Sequence, residues 1–229
     1  MKRLAMISAS VVLATGLGAG AAVAGSPTVV ELFTSQGCSS CPPANANLIT
    51  LSDRPDMLTL SFAVTYWDYL GWKDSFGQEA YTDRQRIYEP ALGEQGPFTP
   101  QMVVNGAGTV VGNRIEQVDE LIARLPRISG PAVSLAGGKV SIAAGAAPGA
   151  GTDVWLVRYD PKVVEVPVAR GENTGRTLPH THVVHDLQRL GTWTGAAASF
   201  AVPQASGGLK TAVLVQGKSG GQIVGVGTD

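Results

Sequence analysis

Two cysteines at the junction of a predicted strand and a predicted helix constrain the fold of this chain more than any other feature. They stand in the motif Cys38-Ser39-Ser40-Cys41-Pro42, and the sequence has no other cysteine. An apolar run at residues 28–34 is typical of a buried strand, and residues 42–51 are predicted to form a helix. Cys38 would then lie at the helix N-terminus, where free backbone N–H groups and the helix dipole favour a thiolate. Cys41, one turn further on, would be shielded and able to resolve a mixed disulfide.

Two cysteines separated by two residues also occur in other kinds of site. Zinc is disfavoured, because a structural zinc site needs further ligands and the chain has no second cysteine pair. The strand–turn–helix context favours a redox centre, with a structural cross-link in an interaction module as an alternative. The other alternative is a non-catalytic binding protein or copper chaperone that holds Cu(I) with the dithiol and Met102.

The first 24 residues have the pattern of a secretory signal peptide. Met1-Lys2-Arg3 is a short basic region, residues 4–21 are mainly apolar, and Ala22-Val23-Ala24 fits a cleavage site. A retained membrane anchor is the alternative, but glycines and serines make the apolar run marginal for a spanning helix. We therefore predict cleavage near Ala24 and a secreted or periplasmic protein without stable membrane insertion. In an oxidising compartment, a lone cysteine pair can be a working disulfide.

The predicted mature chain has a small negative charge. Without Lys2 and Arg3 it carries 15 basic residues against 18 acidic ones. No basic patch indicates binding to nucleic acid or to anionic lipid. We therefore expect no nucleic-acid partner.

Composition divides the mature chain into two predicted units. In residues 25–130, strand-like and helix-like segments alternate, which predicts a parallel or mixed sheet flanked by helices. In residues 131–229, short β-branched runs separated by glycine and proline are typical of an antiparallel sandwich. The predicted strands of the first unit are 28–34, 57–64 and 101–105, and its predicted helices are 42–51, 75–88 and 114–125. The predicted strands of the second unit are 132–135, 139–142, 154–159, 163–168, 182–190, 199–202, 211–215 and 223–226.

Three stretches of the first unit resemble the thioredoxin-like superfamily. Residues 29–33, 38–42 and 98–104 are similar to its strand, its active-site motif and its strand that begins with a cis-proline. More closely, the chain resembles a family of secreted thioredoxin-like proteins of unassigned function. That resemblance rests on VELFTSQGCSSCPP at 30–43 and on residues 66–74, 99–106 and 170–173. It implies an α/β thioredoxin-like domain at 25–130 followed by an all-β, sandwich-like domain at 131–229.

The resemblance implies roles for three residues outside the motif. Glu31 stands between apolar residues of a predicted buried strand and resembles the buried acid that exchanges a proton with the inner cysteine, here Cys41. A surface-facing glutamate is the alternative. Thr99-Pro100 resembles the cis-proline that packs against the dithiol, which would make both residues substrate contacts. A trans proline that opens an edge strand is the alternative.

Further segments have two interpretations each. Trp67 belongs to an aromatic-rich stretch at 66–72, which would form either the floor of a substrate groove or a core contact. The charged and glycine-rich residues 170–176 are predicted to form a solvated loop, or to dock the two units or contact a ligand. His180, His182 and His185 are predicted to be exposed strand residues rather than a metal site, since alternation places the third on the opposite face.

These features predict an exported thiol–disulfide oxidoreductase. Cys38, Cys41 and Glu31 are its predicted catalytic residues, and Thr99, Pro100 and Trp67 are its predicted substrate contacts. Its partners would be thiols or disulfides of proteins or peptides, together with an unidentified redox partner. We expect no cofactor and no metal. The Ser39-Ser40 dipeptide does not indicate whether the protein oxidises, isomerises or reduces.

Overall fold

The computed structural model describes residues 25–149 and 151–229. The predicted signal peptide therefore lies outside the described residues. Within them, no helix is long and apolar enough to span a membrane.

The first half alternates strands and helices, as the sequence predicts. The chain runs through β1 (Thr28–Thr34), α1 (Pro42–Ser52), β2 (Met57–Ala63), a 3-10 turn (Asp68–Leu70), α2 (Glu79–Leu92), β3 (Gln101–Val104), β4 (Gly108–Val110) and α3 (Ile115–Arg124). Two prolines open α1, where a missing N–H costs nothing and the fixed backbone angle suits a helix. Helix α2 begins four residues later than predicted, because Gln78 is still extended and the N–H of Phe76 is bound by Asp74.

The described part of the second half consists of strands four to eleven residues long. They are β5 (Val133–Ala136), β6 (Lys139–Ile142), β7 (Thr152–Asp160), β8 (Val164–Pro167), β9 (Thr177–His180), β10 (Val183–Trp193), β11 (Ala198–Ala201), β12 (Lys210–Gly217) and β13 (Ile223–Thr228). Gly137 and Gly138 both have positive φ and form the tight turn between β5 and β6.

One sheet joins the two halves. Its strand order is β13-β12-β7-β10-β2-β1-β3-β4, and β10 pairs with β2 in parallel through Val183 and Ser61. Strand β1 pairs in parallel with β2 and antiparallel with β3. The division predicted between residues 130 and 131 therefore does not coincide with a sheet edge, and the two-unit organisation stays a prediction. A three-stranded sheet (β11-β6-β5) and the β8–β9 hairpin complete the fold.

Both faces of the long sheet are covered. Helix α2 packs on one face, where Tyr81 and Tyr88 join an apolar cluster that draws on both halves of the chain. Helices α1 and α3 cover the opposite face at β1 and β3, where Leu48, Leu121 and Val30 belong to one apolar cluster. At β7 and β12, a separate apolar cluster lies between the long sheet and the three-stranded sheet. Side chains that alternate along β1 therefore enter different cores.

Candidate functional site: the Cys38–Cys41 loop

The two cysteines form a disulfide in the loop between β1 and α1. Cys41 is the residue that caps α1, and its N–H donates to the Cys38 carbonyl at 3.2 Å, which closes a tight turn. The two serines between them are exposed. The dithiol thus stands at the junction of a buried strand and a helix, as the sequence predicts.

The prediction that Cys38 lies at the helix N-terminus and that only Cys41 is shielded is wrong. Cys38 is 1 % exposed and Cys41 is 0 % exposed. Helix α1 begins at Pro42, so Cys38 lies a full turn before its first residue. Segments that are distant in sequence pack on this loop and bury Cys38.

The loop of the β8–β9 hairpin packs directly on the dithiol loop. Asn173 is completely buried, and its side-chain amide donates to the carbonyls of Gln36 at 3.0 Å and Cys38 at 2.9 Å. The carboxylate of Glu172 accepts from the Ser39 N–H at 3.0 Å. Glu172 and Asn173 therefore dock on the cysteine loop across more than 130 positions of sequence. The predicted solvated loop is wrong for Asn173.

The aromatic-rich segment supports the other side of the same loop. Trp72 Nε1 donates to Gln36 Oε1 at 2.9 Å, and the carboxylate of Asp74 accepts from the Gln36 N–H at 2.7 Å. Burial raises the pKa of Asp74, while hydrogen bonds from Gln36 and Phe76 oppose that rise. Gln36 and Asp74 were not among the predicted site residues. The resemblance of residues 66–74 to the family was the signal that could have found Asp74.

Trp67 and Thr99 meet beside the cysteine motif. Trp67 Nε1 donates to Thr99 Oγ1 at 2.7 Å, and Ser40 Oγ lies 3.5 Å from the Thr99 carbonyl oxygen. The peptide bond between Thr99 and Pro100 is cis, as predicted. The tryptophan ring stacks on Tyr69, which is 77 % exposed. The structure thus brings two of the predicted site residues, Trp67 and Thr99, to the dithiol loop, and Pro100 directly follows Thr99.

Glu31 occupies a different environment. It is completely buried, so the surface-facing interpretation is wrong. Arg84 Nε donates to one carboxylate oxygen at 2.6 Å, and the hydroxyl of Tyr88 donates to the other. Both partners come from α2, on the face of β1 opposite α1. Proton exchange between Glu31 and Cys41 stays a prediction that these contacts do not support.

The predicted exposure of the histidines is correct for one of them. His185 is exposed, but His180 is buried, because β9 packs its end against α1. His180 Nδ1 lies 3.5 Å from Asn45 Nδ2, and its ring contacts Phe76 edge-on at 5.7 Å. Burial lowers the pKa of His180 to about 4. His182 is half-buried between strands, with Nδ1 2.6 Å from Thr59 Oγ1.

The histidines do not converge on a common point. Across residues 25–149 and 151–229, no group of three or more His, Cys, Asp or Glu side chains is placed to hold a metal ion. Met102, considered as a third ligand beside the dithiol, is buried in the apolar cluster of α1 and α3. Its side chain packs against Gly112, where φ is +82° and an added Cβ would lie 2.7 Å from Met102 Cγ.

Comparisons with known proteins find two similar solved structures and one matching family. A crystal structure of protein AGR_C_4864 from Agrobacterium tumefaciens is 34 % identical, with a TM-score of 0.71 over 90 % of this chain and 94 % of that one. HBP35 of Porphyromonas gingivalis shares the fold at 12 % identity, with a TM-score of 0.60 over 90 % of this chain and 75 % of that one. No curated protein matches the chain. Residues 29–216 match the family described as "Protein of unknown function (DUF1223)", and the chain belongs to that family.

Proposed function

We propose that this protein is an exported, thioredoxin-like thiol–disulfide oxidoreductase whose redox centre is the Cys38–Cys41 pair. The observation that carries the proposal is the convergence of separate segments on one dithiol loop. Three separate segments contact the loop at residues 36–41. They contribute Trp72 and Asp74, then Asn173, and then the hydrogen-bonded pair of Trp67 and Thr99.

The size of the disulfide ring supports redox chemistry over a structural role. In the chain-entropy account, a cross-link that closes a loop of about four residues stabilises the fold by only about 2 kcal/mol. The same account gives about 3 kcal/mol for a loop of about 15 residues. A disulfide between residues this close in sequence thus stabilises the fold only weakly. A redox role gives a better reason for the contacts that surround it.

The reaction proceeds through a mixed disulfide. In the reducing direction, the Cys38 thiolate attacks one sulfur of a substrate disulfide, and the other substrate sulfur leaves as a thiolate. The Cys41 thiol loses its proton and attacks Cys38 Sγ, which forms the Cys38–Cys41 bond and releases the second substrate thiolate. Two electrons pass from the protein dithiol to the substrate, and oxidation is the same sequence in reverse. The sulfurs carry the electron pair, so the reaction requires no cofactor.

The substrates in this proposal are thiols or disulfides of proteins or peptides. Backbone before a proline can pair with an extended peptide, and the Thr99 carbonyl is already adjacent to the exposed Ser40. Trp67 and the exposed Tyr69 provide a stacked aromatic surface next to that backbone. A separate redox partner would then restore the protein after each turnover.

A structural disulfide is the second candidate, and the burial of both sulfurs favours it. An enzyme with a buried outer cysteine must expose Cys38 when substrate binds. A structural bond has no such need and remains closed. The two candidates therefore differ in whether Cys38 forms a mixed disulfide with an added substrate.

Trapping of the mixed disulfide tests the proposal. In protein that starts at Gly25, Cys41→Ser should accumulate a mixed disulfide with a cysteine-containing peptide disulfide, because the resolving thiol is gone. Cys38→Ser should not, because in the proposed mechanism Cys41 attacks only Cys38 and never the substrate. Ser206→Ala, at an exposed serine between β11 and β12, is the control and should retain turnover. Absence of trapping, together with no reduction of insulin by the wild-type dithiol, would establish a structural bond. Stoichiometric Cu(I) on the reduced protein would instead support the chaperone alternative.

A further inference from the structure

The loop of the β8–β9 hairpin has a defined shape next to the cysteines. Strands β8 and β9 pair from Val164 with His180 to Pro167 with Thr177. Beyond them, the Gly175 N–H donates to the Val168 carbonyl at 2.8 Å and the Arg176 N–H donates to the Asn173 carbonyl at 3.1 Å. The buried Asn173 amide anchors the loop on Gln36 and Cys38. These bonds fix the backbone that presents Glu172.

Glu172 places a negative charge at the residue after Cys38. Its carboxylate accepts from the Ser39 N–H at 3.0 Å, and its side chain is otherwise exposed. Hydrogen bonds from the Ser39 hydroxyl and backbone N–H lower the pKa of Glu172 below its ordinary value. The side chain is therefore ionised at neutral pH.

This position opposes a thiolate on Cys38. A low-pKa cysteine needs nearby N–H donors or positive charge. Here the carboxylate accepts the Ser39 N–H and adds a like charge next to the backbone that follows Cys38. Ser40 Oγ lies 3.4 Å from Cys38 Sγ and 3.5 Å from the Thr99 carbonyl oxygen, so the sulfur competes with that carbonyl for the one hydroxyl proton. The disulfide carries no charge, so it does not experience this repulsion.

We propose that Glu172 is a positioning residue of the dithiol that disfavours the Cys38 thiolate and thereby stabilises the Cys38–Cys41 disulfide. The inference rests on the proposed function and gives it a direction. When the oxidised form is favoured, the reduced protein is a stronger electron donor. Glu172 therefore biases the protein towards reducing its substrates.

Charge removal without a change of shape tests this role. Glu172→Gln keeps an oxygen that can accept from Ser39 N–H but loses the charge. We expect the Cys38 pKa, followed by thiolate absorbance and by the pH dependence of alkylation, to fall. The equilibrium constant with a glutathione redox buffer should shift towards the dithiol by a factor of about 3 to 10 at low salt, the size expected of one exposed charge. Added salt should shrink that shift, since the carboxylate is exposed.

Two further variants separate charge from structure. Glu172→Asp keeps the charge, so its equilibrium constant with glutathione should remain within about twofold of the wild-type value. Glu165→Gln removes an exposed charge from β8 of the same hairpin, where Glu165 pairs with Pro179. It should change neither the Cys38 pKa nor the equilibrium constant with glutathione. Arg170 and Arg176 in the same loop, and Lys73 and Asp74 in the neighbouring segment, are present in every variant. Differences between variants therefore isolate Glu172.

Failure of the Glu172 proposal can be told apart from failure of the proposed oxidoreductase function. An unchanged Cys38 pKa and equilibrium constant in Glu172→Gln, or equal shifts in Glu165→Gln, would overturn the role of Glu172. Neither measurement requires turnover of a substrate. A shift in Glu172→Gln together with no trapping and no insulin reduction would refute the oxidoreductase and leave the electrostatic role intact.

Discussion

His180 should make the fold sensitive to acid. It is 3 % exposed, it lies between α1 and Phe76, and burial lowers its pKa to about 4. In the unfolded chain a histidine titrates at its ordinary value of about 6.5. Between these values the unfolded chain binds a proton that the folded protein does not bind, so the free energy of unfolding decreases as pH falls.

The expected size follows from the pKa difference. One extra proton in the unfolded state gives a slope of up to about 1.4 kcal/mol per pH unit. Over the interval from 6.5 to about 4, the loss reaches about 3 kcal/mol. The contribution of His180 is fully present above pH 6.5 and is lost as pH falls towards 4. His182, whose pKa burial also lowers, adds a loss of the same sign.

Urea unfolding of the oxidised protein from pH 4 to 8 measures the effect. His180→Gln should reduce the slope of stability against pH below 6.5 by up to about 1.4 kcal/mol per unit, whatever it costs at neutral pH. His185→Gln, which changes an exposed histidine five residues away, is the control and should preserve the wild-type slope. His182 and Asp74 titrate in both proteins, so their contributions cancel in the comparison. A slope in His180→Gln equal to that of wild type would refute the reasoning.

Two other substitutions test the supports of the site by chemical denaturation. Arg84→Met leaves Glu31 buried without its cation and should lower the free energy of unfolding by about 3–5 kcal/mol. The double variant with Glu31→Met should regain part of that stability. A double variant less stable than Arg84→Met alone would contradict this. Asn173→Ala leaves the carbonyls of Gln36 and Cys38 without the amide and should cost about 1–3 kcal/mol. An unchanged midpoint in that variant would show that the hairpin loop does not hold the dithiol loop.

Local sequence pattern predicted most of the elements. Strands β1 and β6 have the predicted bounds, because each is a short apolar or alternating run that ends at a turn. Helix α1 was predicted to within one residue, since prolines mark its start. These signals depend only on neighbours in the chain.

The strands that escaped prediction lack such signals. Strand β4 has only three residues, and β9 contains Pro179, which argues against a strand interior. Proline is tolerated in β9 because this strand belongs to a two-stranded hairpin and has a free edge. The burial of His180 depends on contact between β9 and α1, which are more than a hundred residues apart.

The side chain of Glu31 shows a second limit of prediction from the sequence. Its apolar neighbours correctly indicate that it is buried, but they do not say which face of β1 it enters. Alternation along the strand sends it to the α2 face, and its partner Arg84 is 53 positions away. A resemblance between sequences transfers the residue type but not the packing that surrounds it.

Sheet register explains why the second half of the chain reaches the dithiol. Val183, the first residue of β10, pairs with Ser61 of β2 and with Asp160, the last residue of β7. Ser61 lies near the end of β2, which runs parallel to β1, and Thr34 at the end of β1 pairs with Ala63. The β8–β9 hairpin is inserted between β7 and β10, so it leaves the sheet at the edge where β1 enters the cysteine loop. The position of Glu172 and Asn173 beside Cys38 is therefore a consequence of strand order and register.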